Sequence, residues 1–145
     1  TAGHLGTAWA YYFLSPEWNS VLPAASQAAA YGTEKLKKIA ILMTDGEYNY
    51  QYDAKGYATS LNVAGNSANG QTSAQQAVEI CAKMKDDGIE VYTVGFDLGD
   101  NATAIDTLAT CASGTDHAYI AENGTQLKAA FRDIAIKLTE LHLLR

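Results

Sequence analysis

The sequence predicts an α/β domain built on a parallel sheet, and three observations predict it. Short apolar runs of strand length recur at Lys38 to Thr44, Ile89 to Phe96 and, more weakly, His117 to Ala121. The first two are apolar on both alternating sides, as a strand covered on both faces must be. Helix-periodic stretches separate and follow them, giving the order strand, helix, strand, helix, strand, helix, which favours parallel strands joined by right-handed crossovers.

The elements follow in order. Leu5, Ala8, Trp9, Tyr12 and Phe13 recur at spacings of three and four, which predicts an opening helix with these side chains as its buried stripe. Pro16 biases Ser15 away from helix and so ends it. The Ala-rich stretch Ala24 to Ala30 suggests a short helix closing near Gly32. The first strand then runs to Thr44 and stops at Asp45-Gly46. Ser73 with Gln76 reads as a capping box opening a helix that turns Val78, Cys81, Ala82 and Met84 inward and stops at Gly88. After the second strand, Asn101 caps a short helix with Ile105, Leu108 and Ala109 inside. Asn123 with Gln126 opens the last helix, whose stripe is Leu127, Phe131, Ile134, Leu138 and Leu141.

Composition bounds what these elements can do. A chain of 145 residues, 48% hydrophobic and 18% charged, suits one domain over residues 1–145 with a core of its own. A net charge of −6 with scattered basic residues excludes a nucleic-acid surface, which needs clustered Lys and Arg to replace counterions. No apolar run approaches the roughly 20 residues that cross a bilayer. Thr1-Ala-Gly-His-Leu-Gly enters the first helix with no leader, as in a piece excised or processed from a longer protein.

In open parallel sheets ligands bind beyond the carboxyl ends of the strands, where Asp45 and Asp97 both fall. Asp45 before Gly46 presents a carboxylate at that rim; the plainer reading is an Asp that caps a turn. Asp97 and Asp100 read as turn residues. The segment at about 47–72 has no clear period and carries Tyr48, Tyr50, Tyr52 and Tyr57 among Gly and Asn. Such a loop is either ligand-facing, since Tyr offers contact area at low entropic cost, or an insertion whose tyrosines pack locally. Cys81 and Cys111 lie on helices either side of the second strand. Right-handed crossovers make those helices neighbours, which permits a disulfide; two buried thiols are the alternative. His4, His117 and His142 share no zinc spacing and read as packing residues, with His4 close to Thr1.

Thr1 with Gly3, Gly6 and Trp9, then Phe13-Leu14-Ser15-Pro16, Thr44-Asp45-Gly46-Glu47 and Val91-Tyr92-Thr93-Val94-Gly95-Phe96, together resemble von Willebrand factor A (VWA) domains. Within them the chain is similar to bacterial tight-adherence (Tad) pilus assembly proteins of the TadG type. The resemblance implies a Rossmann-like α/β fold, here lacking its first strands. It implies a noncatalytic extracytoplasmic module of pilus biogenesis or adhesion, at the periplasm or cell surface and held to a membrane only through an upstream anchor. It also implies a metal-ion-dependent adhesion site, in which Mg2+ (or Mn2+ or Ca2+) is held by an Asp-x-Ser-x-Ser loop, a Thr and an Asp. A protein partner, a pilus component or surface ligand, completes the coordination. Thr1 matches the Thr and Asp45 the Asp, while Asp-x-Ser-x-Ser occurs nowhere in these residues. Mg2+ demands near-octahedral oxygen coordination, so these two ligands alone predict no tight binding.

Two rival readings remain. A hydrolase or phosphotransferase could use the rim Asp, although no nucleophile elbow, phosphate loop or dinucleotide fingerprint accompanies it. A VWA module with a degenerate metal site would be purely structural. With the first strand missing, Lys38 to Thr44 becomes a sheet edge, which predicts a homodimer or a strand contributed from elsewhere.

Overall fold

In a computed structural model of the chain, residues 1–59 and 67–143 are described. They form four α-helices, α1 (Gly3–Leu14), α2 (Ser73–Asp86), α3 (Ala102–Cys111) and α4 (Gly124–Leu143). The strands are β1 (Lys38–Thr44), β2 (Gln51–Tyr52), β3 (Ala58–Thr59), β4 (Ile89–Phe96) and β5 (Ala118–Ala121). β1, β4 and β5 pair in that order as a parallel sheet, with Lys38 opposite Ile89, Thr44 opposite Gly95 and Phe96 opposite Ala121. The α/β class and the parallel sheet predicted from the sequence hold. β2 and β3 form a small antiparallel hairpin inside the long loop. Asp53 Oδ1 closes that hairpin by accepting the amides of Lys55 and Tyr57.

The sheet is covered on both faces. On one, Ala40, Leu42, Ile89 and Val91 pack with Cys81 and Met84 of α2, Cys111 of α3, and Ala10, Tyr11 and Leu14 of α1. On the other, Tyr92 and Val94 meet Ile134, Leu127 and Leu138 of α4, with Ile39 and Tyr119 alongside. Lys38 is buried at the start of β1, where its ammonium donates to the carbonyls of Leu14 and Ala29 (2.6 and 2.5 Å).

Four details depart from the sequence reading. Ala24 to Ala30 forms a single 3-10 turn at Ala24–Ser26 and no longer helix. Side chains intercept its backbone: Asn19 pairs with both the amide and the carbonyl of Ala28, and Lys38 takes the carbonyl of Ala29. The capping box of α2 is Thr72 with Gln75, one residue earlier than predicted, and Ser73 is buried as the first helical residue. Ala82 and Ala109 face solvent where Ala77 and Ala104 face the core, while on α4 Ala130 is buried where Phe131 is exposed. Leu141's side chain lies outside the described part of α4, as do residues 60–66 of the long loop.

The largest departure is α1. Leu5, Trp9 and Phe13 are 41, 55 and 51% exposed, so the predicted inner stripe faces outward. The helix instead buries His4 and Thr7 and packs Ala10, Tyr11 and Leu14 on the core. The reason lies in its neighbours. On one flank Gly3 makes room for the Tyr48 ring and Ala10 and Leu14 pack on the core, and on another His4 bonds Ser73 and Tyr11 bonds Asp87 at the two ends of α2. The bulky stripe is left to solvent.

Cys81 and Cys111 are joined in a disulfide (S–S 2.06 Å, Cα–Cα 5.0 Å) that ties α2 to α3.

Candidate functional site at the carboxyl rim

β1 delivers Asp45 to the rim. Thr44 Oγ accepts the Gly46 amide (3.2 Å) and donates to the Gly46 carbonyl (2.9 Å), a clamp that turns the chain and leaves Asp45 exposed at its apex. Thr1 is stitched to the segment just beyond. Its amine donates to the Glu47 carbonyl (2.9 Å) and Asn49 Oδ1 (2.6 Å), its hydroxyl donates to the Glu47 carbonyl (3.0 Å), and its own carbonyl accepts the amides of Asn49 and Tyr50. Thr1 therefore sits against residues two to five positions after Asp45, on the same rim.

The tyrosines of the loop divide. Tyr48 is 6% exposed, so it is an anchor and presents no ring to a partner. Its ring lies where a Cβ on Gly3 would stand, with ring atoms 2.1 to 2.3 Å from that point, so only glycine admits it. Burial raises the Tyr48 hydroxyl's pKa, partly offset by its hydrogen bond with Thr7. Tyr50, Tyr52 and Tyr57 are 44, 37 and 69% exposed. Beyond β4, Asp97 takes a left-handed conformation (φ 53°) as a turn residue does, while its amide donates to the Ala121 carbonyl and extends the β4–β5 ladder by one bond.

Between α1 and β1 runs a groove of about 350 Å3, lined by Gly3, Gly6, Thr7 and Ala10 on one wall, Ile41 to Thr44 on the other, and by Thr1 and Tyr48.

Among the described residues, no group of three or more His, Cys, Asp or Glu side chains could hold a metal ion. Asp45 and Thr1 offer a carboxylate and a hydroxyl. That is a fraction of an octahedral shell, so these residues fit a divalent cation as part of a site and not as a whole one. The hydroxyl–imidazole pair Ser73–His4 (2.7 Å) is buried on both sides and packs α1 on α2, out of reach of a substrate.

Sequence reasoning missed a polar cluster on the α4 face. Glu90 accepts from Tyr92 (2.9 Å), Lys37 (3.2 Å) and His117 Nε2 (2.8 Å), while His117 Nδ1 faces Asp116 Oδ1 (2.8 Å) and the imidazole stacks on Tyr92. Lys137 joins Asp116, Asp133 and Tyr119. Burial and then the Glu90 carboxylate push Tyr92 up to about 12. No spacing in the sequence foretells a cluster drawn from β4, β5, α4 and the segments just before β1 and β5.

The structure is thus a parallel α/β sheet that presents Asp45 at the carboxyl end of β1, with Thr1 tied to the segment that follows it. The von Willebrand factor type A domain model matches residues 19–133, and the chain belongs to that family. Solved structures similar to it include the pilus adhesin SpaC from Lactobacillus rhamnosus GG. Its open conformation has a TM-score of 0.60 and 15% identity over 93% of this chain and 18% of that one. A second SpaC form gives 0.54 and 15% over 94% and 28%. The VWA domain of the type V pili tip protein Mfa5 from Porphyromonas gingivalis is 29% identical over 47% of this chain and 23% of that one, with a TM-score of 0.44. The chain thus spans less than a third of each of these solved chains. No curated protein matches it at a significant level.

Proposed function

We propose that the chain is part of a noncatalytic, extracytoplasmic adhesion or assembly module of a bacterial pilus, of the Tad type. It engages a protein partner through a divalent cation at the carboxyl rim. The observation that carries this reading is the place of Thr1 on the rim beside the segment that follows Asp45, where its hydroxyl donates to the Glu47 carbonyl and its own carbonyl accepts the amides of Asn49 and Tyr50. The Tad-like motifs of the sequence support the pilus assignment, and the fold shared with the SpaC adhesin is in keeping with it. Mg2+, or Mn2+ or Ca2+, would take Asp45 and Thr1 as two ligands and the rest from an Asp-x-Ser-x-Ser loop outside these residues. Exposed Tyr50, Tyr52 and Tyr57 would give the partner its contact area beside the cation.

Calorimetry tests the reading in two proteins. The 145-residue chain titrated with MgCl2 or MnCl2 shows no saturable micromolar binding. A longer chain carrying an Asp-x-Ser-x-Ser loop binds with one site and loses it on Asp45→Ala. Micromolar binding by the short chain, or binding by the long chain that Asp45→Ala leaves intact, would overturn the assignment of ligands.

A further inference from the structure

A cleft of about 310 Å3 lies between α1 and α2 and shares no residue with the carboxyl rim. Its α1 wall carries the rings of Tyr11 and Tyr12, and both are held in place. The Tyr11 hydroxyl donates to Asp87 (2.8 Å), and Tyr12 stacks on Trp18 with ring centroids 3.8 Å apart. The facing wall carries Gln76 and Glu79 of α2, with Asn69 and Gln71 from the segment before that helix. These side chains fix one another. Asn69 Nδ2 donates to Gln71 Oε1 (2.8 Å), Gln71 Nε2 to Glu79 Oε1, and Gln76 Nε2 to the Gln71 carbonyl (3.0 Å). Among the described residues Gln76 Oε1 and Glu79 Oε2 make no hydrogen bond, so the ordered wall keeps acceptors for a ligand.

The lining selects among ligand classes. A peptide strand needs a row of unpaired backbone groups, and the helices of both walls pair theirs internally. An apolar anchor needs an apolar socket, and the aliphatic lining is confined to Ala8 and Ile80. An anion needs a free positive charge, and Lys83 at the end of the cleft is paired with Asp87 (2.7 Å). Fixed aromatic rings facing amides and a carboxylate suit a neutral ligand that has many hydroxyls and an apolar C–H face. We propose that the cleft binds a neutral saccharide, with Tyr12 as its stacking platform and Asn69, Gln76 and Glu79 bonding its hydroxyls. The volume is at the small end of ligand sites, which suits a terminal sugar of a glycan. His4 to Ser73 (2.7 Å) and Tyr11 to Asp87 join α1 to the two ends of α2, so the walls are preorganised. No cation takes part, and the proposal is independent of the ligands assigned at the rim.

An array of neutral and acidic glycans, probed with the 145-residue chain carrying a C-terminal epitope tag, tests it. Neutral glycans are bound, equally in Mg2+ and in EDTA. The terminal sugar of the best of them, added free, shifts the side-chain amides of Asn69, Gln71 and Gln76 saturably in nitrogen-15 correlation spectra. Glu79→Ala and Tyr12→Ala each weaken binding about tenfold or more, whereas Tyr12→Phe keeps the ring and most of the affinity. Glu79 is exposed, so its substitution leaves the circular dichroism and Tm of the chain unchanged. An array with no glycan bound, binding confined to sialylated or sulfated glycans, shifts confined to residues outside the cleft, or affinity indifferent to Glu79→Ala each refutes the proposal.

Discussion

The Cys81–Cys111 disulfide lends itself to a worked perturbation. It closes a loop of 30 residues running from α2 through β4 to α3, and both sulfurs are buried in the main core cluster. In the chain-entropy account, closing a loop of that length removes about 3.6 kcal/mol of freedom from the unfolded chain at 25 °C. With a melting entropy of about 2.1 cal/mol/K per residue, some 300 cal/mol/K for this length, the loss corresponds to a Tm lower by about 12 °C. Cys81→Ala with Cys111→Ala adds the void of two sulfur atoms, on the order of 1 kcal/mol more. Calorimetric melting of the reduced and the doubly substituted chains, beside the oxidised one, measures both quantities. Because both cysteines are buried, reductant without denaturant cleaves the bond no faster than α2 and α3 separate. A fall in Tm under about 4 °C for the Ala pair would mean that the unfolded chain gains little freedom, and would sink the entropic reasoning.

Other consequences follow from particular contacts. Gly3→Ala gains about 1 kcal/mol of helix propensity but drives a methyl into the Tyr48 ring, so net destabilisation of roughly 1–2 kcal/mol is expected. The same change in a Tyr48→Ala background turns neutral or stabilising in urea titrations. Burial holds His4 below its ordinary 6.5, so the folded chain favours the neutral ring. That stabilisation is complete above pH 6.5 and is lost as pH falls toward the lowered value, and His4→Gln flattens the corresponding slope of Tm against pH. Burial raises the Glu90 carboxyl, but hydrogen bonds from His117, Tyr92 and Lys37 outweigh it and hold the pKa below 4.5. Its contribution is therefore present above pH 4.5 and fades as pH drops below that, and Glu90→Gln costs about 1–3 kcal/mol at neutral pH by denaturant unfolding.

Much of the framework was legible because burial on both faces writes continuous apolar runs, as in Lys38 to Thr44 and Ile89 to Phe96, and because Gly88 and Asn101 punctuate the helices. Asp45 was legible as a rim residue from its place after a strand. The loop tyrosines were legible only as a group, since Tyr48 differs from Tyr50 by a contact with Gly3 across 45 residues of sequence that no local pattern encodes. Capping was misread by one residue because Thr72 and Ser73 offer equivalent hydroxyls, and burial of Ser73 against His4 decides between them. The Ala-rich stretch failed for a similar reason: helix propensity of a few tenths of a kcal/mol per residue gives way to hydrogen bonds from Asn19 and Lys38.

The misassignment of α1 is the informative one. Periodicity identifies which side chains of a helix share a face, and Leu5, Trp9 and Phe13 do share one. It does not say that these residues hold the surface that face will meet. The inward face of α1 is set instead by particular partners: Gly3 admits the Tyr48 ring, His4 and Tyr11 bond Ser73 and Asp87 at the two ends of α2, and Ala10 and Leu14 pack on the core. The apolar stripe is then left exposed on α1, and Ile41 and Met43, which the strand pattern marks for burial, are exposed on β1 as well. Two independent periodicities, one of helix and one of strand, thus mark for burial side chains that the described residues leave uncovered. A lone exposed Trp would be ordinary surface. Five apolar side chains that two patterns mark for burial are more than scattered surface, and their exposure among the described residues is what a covering partner would remove.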